Sequence, residues 1–144
     1  MFEVLLADDN PSDVYLIREA LREHGVDCIL RVASDGKEAL GIVSRGAPEA
    51  AAGRIDLLIL DLNLPRYDGI EILQKLKELT GFEHIPVVVL TSSDSPSDRL
   101  RATALGVTRY LRKPSSLDDF LGLGAIFKEL LGQSENNILQ EKSL

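Results

Sequence analysis

Short apolar runs alternate with helical patterns five times along this chain. The apolar runs lie at residues 3–7, 28–33, 56–60, 87–90 and 107–112, and apolar residues at helical spacing follow each of them. Five such repeats predict an α/β fold, a doubly wound parallel sheet of five strands with a helix after each strand. Because crossovers between parallel strands are right-handed, few topologies remain.

The strand order 2-1-3-4-5, which is the flavodoxin-like arrangement, fits this pattern best. Capping signals mark two of the helix starts: Asn10-Pro11 and Ser95-Pro96 each place an N-cap residue before a proline at the first helical position. We expect one domain over residues 1–131. The polar residues 132–144 are expected to form a flexible C-terminal tail. A further expectation is that no effector domain follows.

Charge and composition exclude several classes of function. The net charge of the 144 residues is −7, whereas nucleic-acid surfaces are basic, so we expect no nucleic-acid partner. No apolar run approaches the ~20 residues that cross a bilayer, and no basic leader precedes the first strand. We therefore expect no membrane association. The single Cys28 cannot form an internal disulfide, which favours a reducing, cytoplasmic location.

Four of the predicted strands end in polar residues: Asp8 and Asp9, Asp61, Thr91 and Lys113. Since parallel strands end at one edge of the sheet, these side chains should meet there. Carboxylates packed together repel one another unless a cation relieves the repulsion. Oxygen ligands without a His or Cys cluster indicate Mg²⁺, or Mn²⁺, rather than zinc. We expect Asp9 and Asp61 to bind the ion directly, and Asp8 to act through water.

Asp61 at the tip of the central strand is the candidate nucleophile. A carboxylate that attacks a phosphoryl donor gives an acyl phosphate, and the charge on the equatorial oxygens must be neutralised while this happens. The metal, the Lys113 ammonium and the Thr91 hydroxyl could each take one of these oxygens. Asp61 is therefore the predicted phosphoacceptor, with Thr91 and Lys113 completing the catalytic set.

These residues together resemble the receiver domain of two-component response regulators, the CheY-like family, over about residues 2 to 131. The matching positions are Asp8-Asp9, Asp61, Pro65, Asp68-Gly69, Thr91 and Lys113-Pro114. The resemblance implies that the backbone carbonyl of Asn63 is a further metal ligand. It also implies a cis Lys113–Pro114 peptide bond, and switch residues Thr91 and Tyr110 that repack the face of the fourth helix, fifth strand and fifth helix after phosphorylation.

The same resemblance implies a stand-alone receiver that a sensor histidine kinase phosphorylates. The segment from Asp61 to Gly69 is similar to that of receivers that work with phytochrome-type kinases. Such a protein catalyses its own phosphorylation and dephosphorylation and is not otherwise an enzyme. The apolar residues Phe120, Leu123 and Phe127 suggest a homodimer through the face that switches.

Two alternatives remain open at this point. The chain could be a phosphotransfer intermediate or phosphate sink in a multistep His–Asp relay, which reverse transfer to a His-containing carrier would reveal. It could also be a small hydrolase that works through an aspartyl phosphate. The sequence places no general acid for a leaving group beside Asp61, which disfavours the hydrolase.

Overall fold

Within the residues that this computed structural model describes, 1–46, 55–80, 85–93 and 95–142, five parallel strands alternate with five helices. The strands are β1 (Phe2–Ala7), β2 (Cys28–Ala33), β3 (Leu57–Leu60), β4 (Val87–Thr91) and β5 (Arg109–Arg112). The helices are α1 (Pro11–Glu23), α2 (Gly36–Gly46), α3 (Gly69–Thr80), α4 (Pro96–Ala104) and α5 (Leu117–Lys142).

The strands form one sheet in the order β2-β1-β3-β4-β5, which confirms the predicted fold class and topology. Ala7, the last residue of β1, pairs with Leu60, the last residue of β3. The N–H of Asp61 then donates to the carbonyl oxygen of Ala7 at 2.9 Å. The register therefore brings the polar residues after these two strands to the same point on the sheet edge.

Alternate residues of the inner strands point to opposite faces of the sheet, and each face has its own apolar layer. On one side Leu5 of β1 packs with the buried Leu73 and Leu76 of α3. On the other side Val4 of β1 packs with Ile17 of α1 and with residues of α5. This period of two is what a parallel sheet covered by helices on both faces requires.

Helix α5 differs from the prediction in two ways. Phe120, Leu123 and Phe127 are at most 7% exposed and belong to the apolar layer beneath α1 and α5, so they are not available for the homodimer that they suggested. The helix also continues to Lys142, through residues for which the sequence predicts a flexible tail. Whether residues 132–144 form a tail separate from the domain stays a prediction.

The capping predictions at the starts of α1 and α4 are confirmed. The Asn10 side chain accepts hydrogen bonds from Ser12 and Asp13, and the Ser95 side chain accepts one from Asp98. The predicted loop or helical extension at residues 47–54 lies outside the described residues.

The fifth strand begins at Arg109 rather than at residue 107. The reason lies in the preceding turn, where Gly106 has φ +92°. The N–H of Val107 donates to the carbonyl oxygen of Ala102 at the end of α4, which keeps Val107 out of the ladder.

Candidate phosphoacceptor and metal site

Three carboxylates meet at the edge where β1 and β3 end. Asp8 and Asp9 follow β1, Asp61 follows β3, and one carboxylate oxygen of each lies within 4.8 Å of the others. Asp8 and Asp61 are buried, whereas Asp9 is exposed. The sequence prediction that these three side chains converge is therefore met by the geometry, and all their ligand atoms are oxygens.

Asp8 is the most deeply buried of the three, at 1% exposure. Its Oδ1 accepts a hydrogen bond from the N–H of Asn10 at 2.9 Å, while its Oδ2 is buried with no hydrogen-bond partner. The ammonium of Lys113 is 3.2 Å from this Oδ2, which is an ion-pair distance without hydrogen-bond alignment. Burial raises the pKa of the Asp8 carboxyl, although the N–H of Asn10 and the charge of Lys113 oppose this.

A divalent cation fits these donors. A buried carboxylate oxygen without a hydrogen bond is costly, and a hard cation would supply the missing interaction for Asp8. The other two carboxylates bring the further oxygen ligands that Mg²⁺ or Mn²⁺ prefers.

Asp61, which is 4% exposed, has both carboxylate oxygens engaged. Its Oδ1 accepts from the N–H of Asn63 at 2.9 Å, and its Oδ2 accepts from the Lys113 ammonium at 2.7 Å. The loop that carries it is fixed by the buried side chains of Leu62 and Leu64. The candidate nucleophile is therefore held in one orientation before any donor arrives.

The loop from β3 to α3 depends on the Asp68-Gly69 pair. The Asp68 side chain accepts from the N–H of Ile70 at 3.0 Å and so caps α3. Gly69 lies against the backbone of Leu62, where any side chain would overlap it. Arg66 in the same loop has φ +73°, a left-handed conformation that residues other than glycine seldom adopt. The Asp68-Gly69 pair thus allows the start of α3 to pack against the backbone directly after Asp61.

Lys113 is the cation of the site, with a side chain that is 12% exposed. Its Nζ lies 2.6 Å from Asp13 Oδ2, 2.7 Å from Asp61 Oδ2 and 3.2 Å from Asp8 Oδ2. Burial alone would lower the pKa of this ammonium, but the hydrogen bonds to Asp13 and Asp61 outweigh burial and raise it. Lys113 therefore remains charged and partly neutralises the carboxylates around it.

The predicted cis bond between Lys113 and Pro114 is wrong for this structure, in which no described peptide bond is cis. The trans form is the more stable one for most X–Pro bonds, by about 0.5–1 kcal/mol.

Asp13 is the functional residue that the sequence interpretation missed. In the sequence it is simply an acidic residue in the first turn of α1, where a carboxylate complements the helix dipole. In the structure it makes the shortest contact to Lys113, a residue 100 positions away in the sequence. One sequence feature could have indicated it: α1 begins directly after the acidic pair, so its first turn must lie beside the site.

Thr91, at the end of β4, is fully buried. Its Oγ1 accepts from the side-chain amide of Asn63 at 3.1 Å and from the N–H of Ser93 at 3.2 Å. The Asn63 amide also lies 3.3 Å from the hydroxyl of Ser92, which is exposed. Thr91 is thus linked to Asp61 through Asn63. The backbone N–H of Asn63 binds Asp61, and its side-chain amide binds Thr91.

Tyr110 on β5 is half-buried and packs against the apolar layer of α3 and α4, with its hydroxyl oxygen buried. The guanidinium of Arg99 in α4 lies 5.8 Å from the centre of its ring, within the range of a cation–π interaction. The Tyr110 ring is therefore in contact with a residue of α4. Its role as a switch residue stays a prediction.

The chain belongs to the response regulator receiver family: the model of the response regulator receiver domain matches residues 4–123. It is 35% identical over 116 residues to the response regulator Rcp1 of Synechocystis sp., covering 81% of this chain and 79% of Rcp1. It is also 36% identical over 118 residues to the transcriptional regulatory protein TrcR of Mycobacterium tuberculosis, but it spans only 42% of that protein.

Solved structures give the same result. The phosphorylated cyanobacterial phytochrome response regulator RcpA superposes with a TM-score of 0.79 at 34% identity, covering 90% of this chain and 93% of RcpA. The Mn²⁺-bound form of Rcp1 superposes with a TM-score of 0.75 at 33% identity, covering 86% of this chain and 89% of Rcp1. Among the described residues, no helix combines the length and the apolar character needed to span a membrane.

Proposed function

We propose that this receiver accepts a phosphoryl group on Asp61 from a sensor histidine kinase and signals through a change at its surface. The observation that carries the proposal is the position of the Lys113 ammonium, 2.7 Å from Asp61 and 3.2 Å from Asp8. Phosphoryl transfer to a carboxylate needs a positioned nucleophile and cations that neutralise the transferring group. Asp61 and Lys113 supply the nucleophile and one cation, and two more carboxylates at the same sheet edge could hold a second cation.

In the proposed reaction a carboxylate oxygen of Asp61 attacks the phosphorus of a phosphohistidine. The new O–P bond forms as the P–N bond breaks, and the electron pair of that bond stays on the imidazole nitrogen. Lys113 exchanges its contact with Asp61 for one with a phosphoryl oxygen. Asp8, Asp9 and Asp61, with the carbonyl of Asn63, would hold a Mg²⁺ or Mn²⁺ ion, which neutralises charge on the transferring group.

The proposed switch begins at Thr91. Its hydroxyl is bound by the Asn63 amide, so a move of Thr91 toward the phosphoryl group requires this hydrogen bond to break. Tyr110 would then turn further inward and change its contact with Arg99. Because that contact joins β5 to α4, the effect would reach the α4-β5-α5 face, where a partner protein would sense it.

A phytochrome-type histidine kinase is the partner that we propose, because the phytochrome response regulator RcpA resembles this chain over 90% of this chain's length.

A homodimer through α4-β5-α5 also stays a proposal. Its apolar contacts would have to come from exposed residues of these helices, such as Leu100 and Leu117, which are 72% and 58% exposed. Light scattering with and without a phosphate mimic tests the dimer. The cytoplasmic location stays a prediction.

The first test is labelling with acetyl phosphate and Mg²⁺, followed by intact-mass measurement. We expect the protein to gain one phosphoryl group and Asp61→Asn to gain none. Asp68→Asn is the matched control, because asparagine caps a helix as well as aspartate does. Undiminished labelling of Asp61→Asn would rule out Asp61 as the acceptor. Reverse transfer from the labelled protein to a His-containing carrier would instead support a role as a relay intermediate.

A further inference from the structure

Asp13 contacts Lys113 but is not one of the carboxylates that could share a metal ion. Its Oδ2 lies 2.6 Å from Lys113 Nζ, closer than the oxygens of Asp61 or Asp8. The group of carboxylates whose oxygens could share one metal ion contains Asp8, Asp9 and Asp61. Neither the reaction at Asp61 nor binding of a cation therefore accounts for the contact that Asp13 makes.

We infer that Asp13 is a positioning residue that keeps the Lys113 ammonium at the phosphorylation site while its other partners change. The inference rests on the proposed function. Lysine has a flexible four-carbon stem and three rotatable donors, so the position of its ammonium depends on what binds it. During transfer Lys113 loses Asp61 as a partner and must find a phosphoryl oxygen, whereas its hydrogen bond to Asp13 can persist.

Asp13 is well placed for this role because the helix that carries it is fixed. The Asn10 side chain caps the first turn of α1, and Ile17 and Leu21 of the same helix are buried in the apolar layer next to α5. The Asp13 side chain itself is only 16% exposed. A carboxylate on a turn that is fixed in this way can hold a flexible ammonium at low entropic cost.

A different explanation is that Asp13 serves only to complement the dipole of α1. Asp119 offers a matched control, because it is also in the first turn of a helix but is exposed. Asp119→Asn and Asp13→Asn change the net charge equally, and each removes an acidic residue from a helix start. Only Asp13→Asn removes a charged partner of Lys113.

The rate of phosphorylation is the first readout. With acetyl phosphate and Mg²⁺, a carboxylate oxygen of Asp61 attacks phosphorus, and acetate leaves with the electron pair of the broken O–P bond. We expect Asp13→Asn to be labelled about tenfold more slowly than the unchanged protein, and Asp119→Asn to be labelled at an unchanged rate. Labelling of Asp13→Asn within twofold of the unchanged protein, or equal slowing in both variants, would overturn the inference.

The second readout does not depend on phosphorylation. In ¹H–¹⁵N spectra selective for lysine ammonium groups, a tethered ammonium protected from exchange gives a visible signal. We expect the Lys113 signal in the unchanged protein and in Asp119→Asn, and its loss in Asp13→Asn with the rest of the spectrum preserved. Retention of that signal in Asp13→Asn would show that Asp13 does not hold the ammonium. An absence of labelling in the unchanged protein would instead count against the proposed function.

Discussion

Replacement of Lys113 by alanine should destabilise the protein in the absence of divalent metal. The Lys113 ammonium lies between three carboxylates. Its Nζ is 3.2, 2.6 and 2.7 Å from the nearest oxygens of Asp8, Asp13 and Asp61, respectively. Removing one partner of a buried ion pair costs about 3–5 kcal/mol, because the opposite charge is left buried and uncompensated. Since the Lys113 side chain retains 12% exposure, solvent screens part of this loss, and we expect about 3 kcal/mol.

The assay is thermal unfolding in EDTA and then in Mg²⁺. For a domain of this size, about 3 kcal/mol lowers the melting temperature by roughly 6–12 °C. Mg²⁺ should restore stability in Lys113→Ala by more than it adds to the unchanged protein, because the carboxylates then bind the cation without competition from the ammonium. Phosphorylation-dependent switching should be weakened, whereas the affinity for Mg²⁺ should not fall.

Arg22→Ala is the control for the loss of an ion pair at the surface. Arg22 is 80% exposed and lies 3.7 Å from Glu19, so its removal should cost at most about 0.5 kcal/mol. If Lys113→Ala melted in EDTA at the same temperature as Arg22→Ala, the carboxylates would not depend on Lys113 for neutralisation. An equal loss of Mg²⁺ affinity and of switching would likewise contradict the role given to Lys113.

Two further predictions concern residues outside the site. Gly124→Ala should destabilise the protein by about 1–3 kcal/mol through overpacking, because a methyl group there would overlap the carbonyl oxygen of Ala20 in α1. Gly122→Ala, with open space around it, should instead stabilise by about 0.5–1 kcal/mol; urea unfolding compares the pair. Burial raises the pKa of the Cys28 thiol, so its reaction with a disulfide reagent at neutral pH should be slow in the folded protein and fast in urea. Fast reaction of the folded protein would contradict this.

The fold and the acidic cluster could be predicted from the sequence because local signals determine both. Apolar runs of strand length ended in polar residues, and parallel strands bring such ends to one edge of the sheet. The caps at Asn10 and Ser95 were likewise local, since each side chain accepts from an N–H within three residues. The start of β5 was missed because the hydrogen bond from Val107 to Ala102 in α4 competes with the ladder.

Whether the apolar side of α5 faces the core or a partner protein could not be predicted in the same way. Phe120, Leu123 and Phe127 form an apolar stripe at helical spacing, and such a stripe does not say whether it faces a core or a partner. Here the close approach of α1, which Gly124 permits, places the stripe in the core.

The sequence by itself determined the order of strands and helices and the residue types at the sheet edge, because hydrophobic periodicity and capping act over a few neighbouring residues. Only the tertiary structure decided which carboxylates share the ammonium of Lys113. Asp13 has the same residue type and the same helix-start position as other acidic residues, such as Asp119, and only its place shortly after the acidic pair sets it apart. It becomes a partner of Lys113 because the first turn of α1 and the end of β5 meet at the same edge of the sheet, and contacts between residues so far apart in the chain are fixed only by packing.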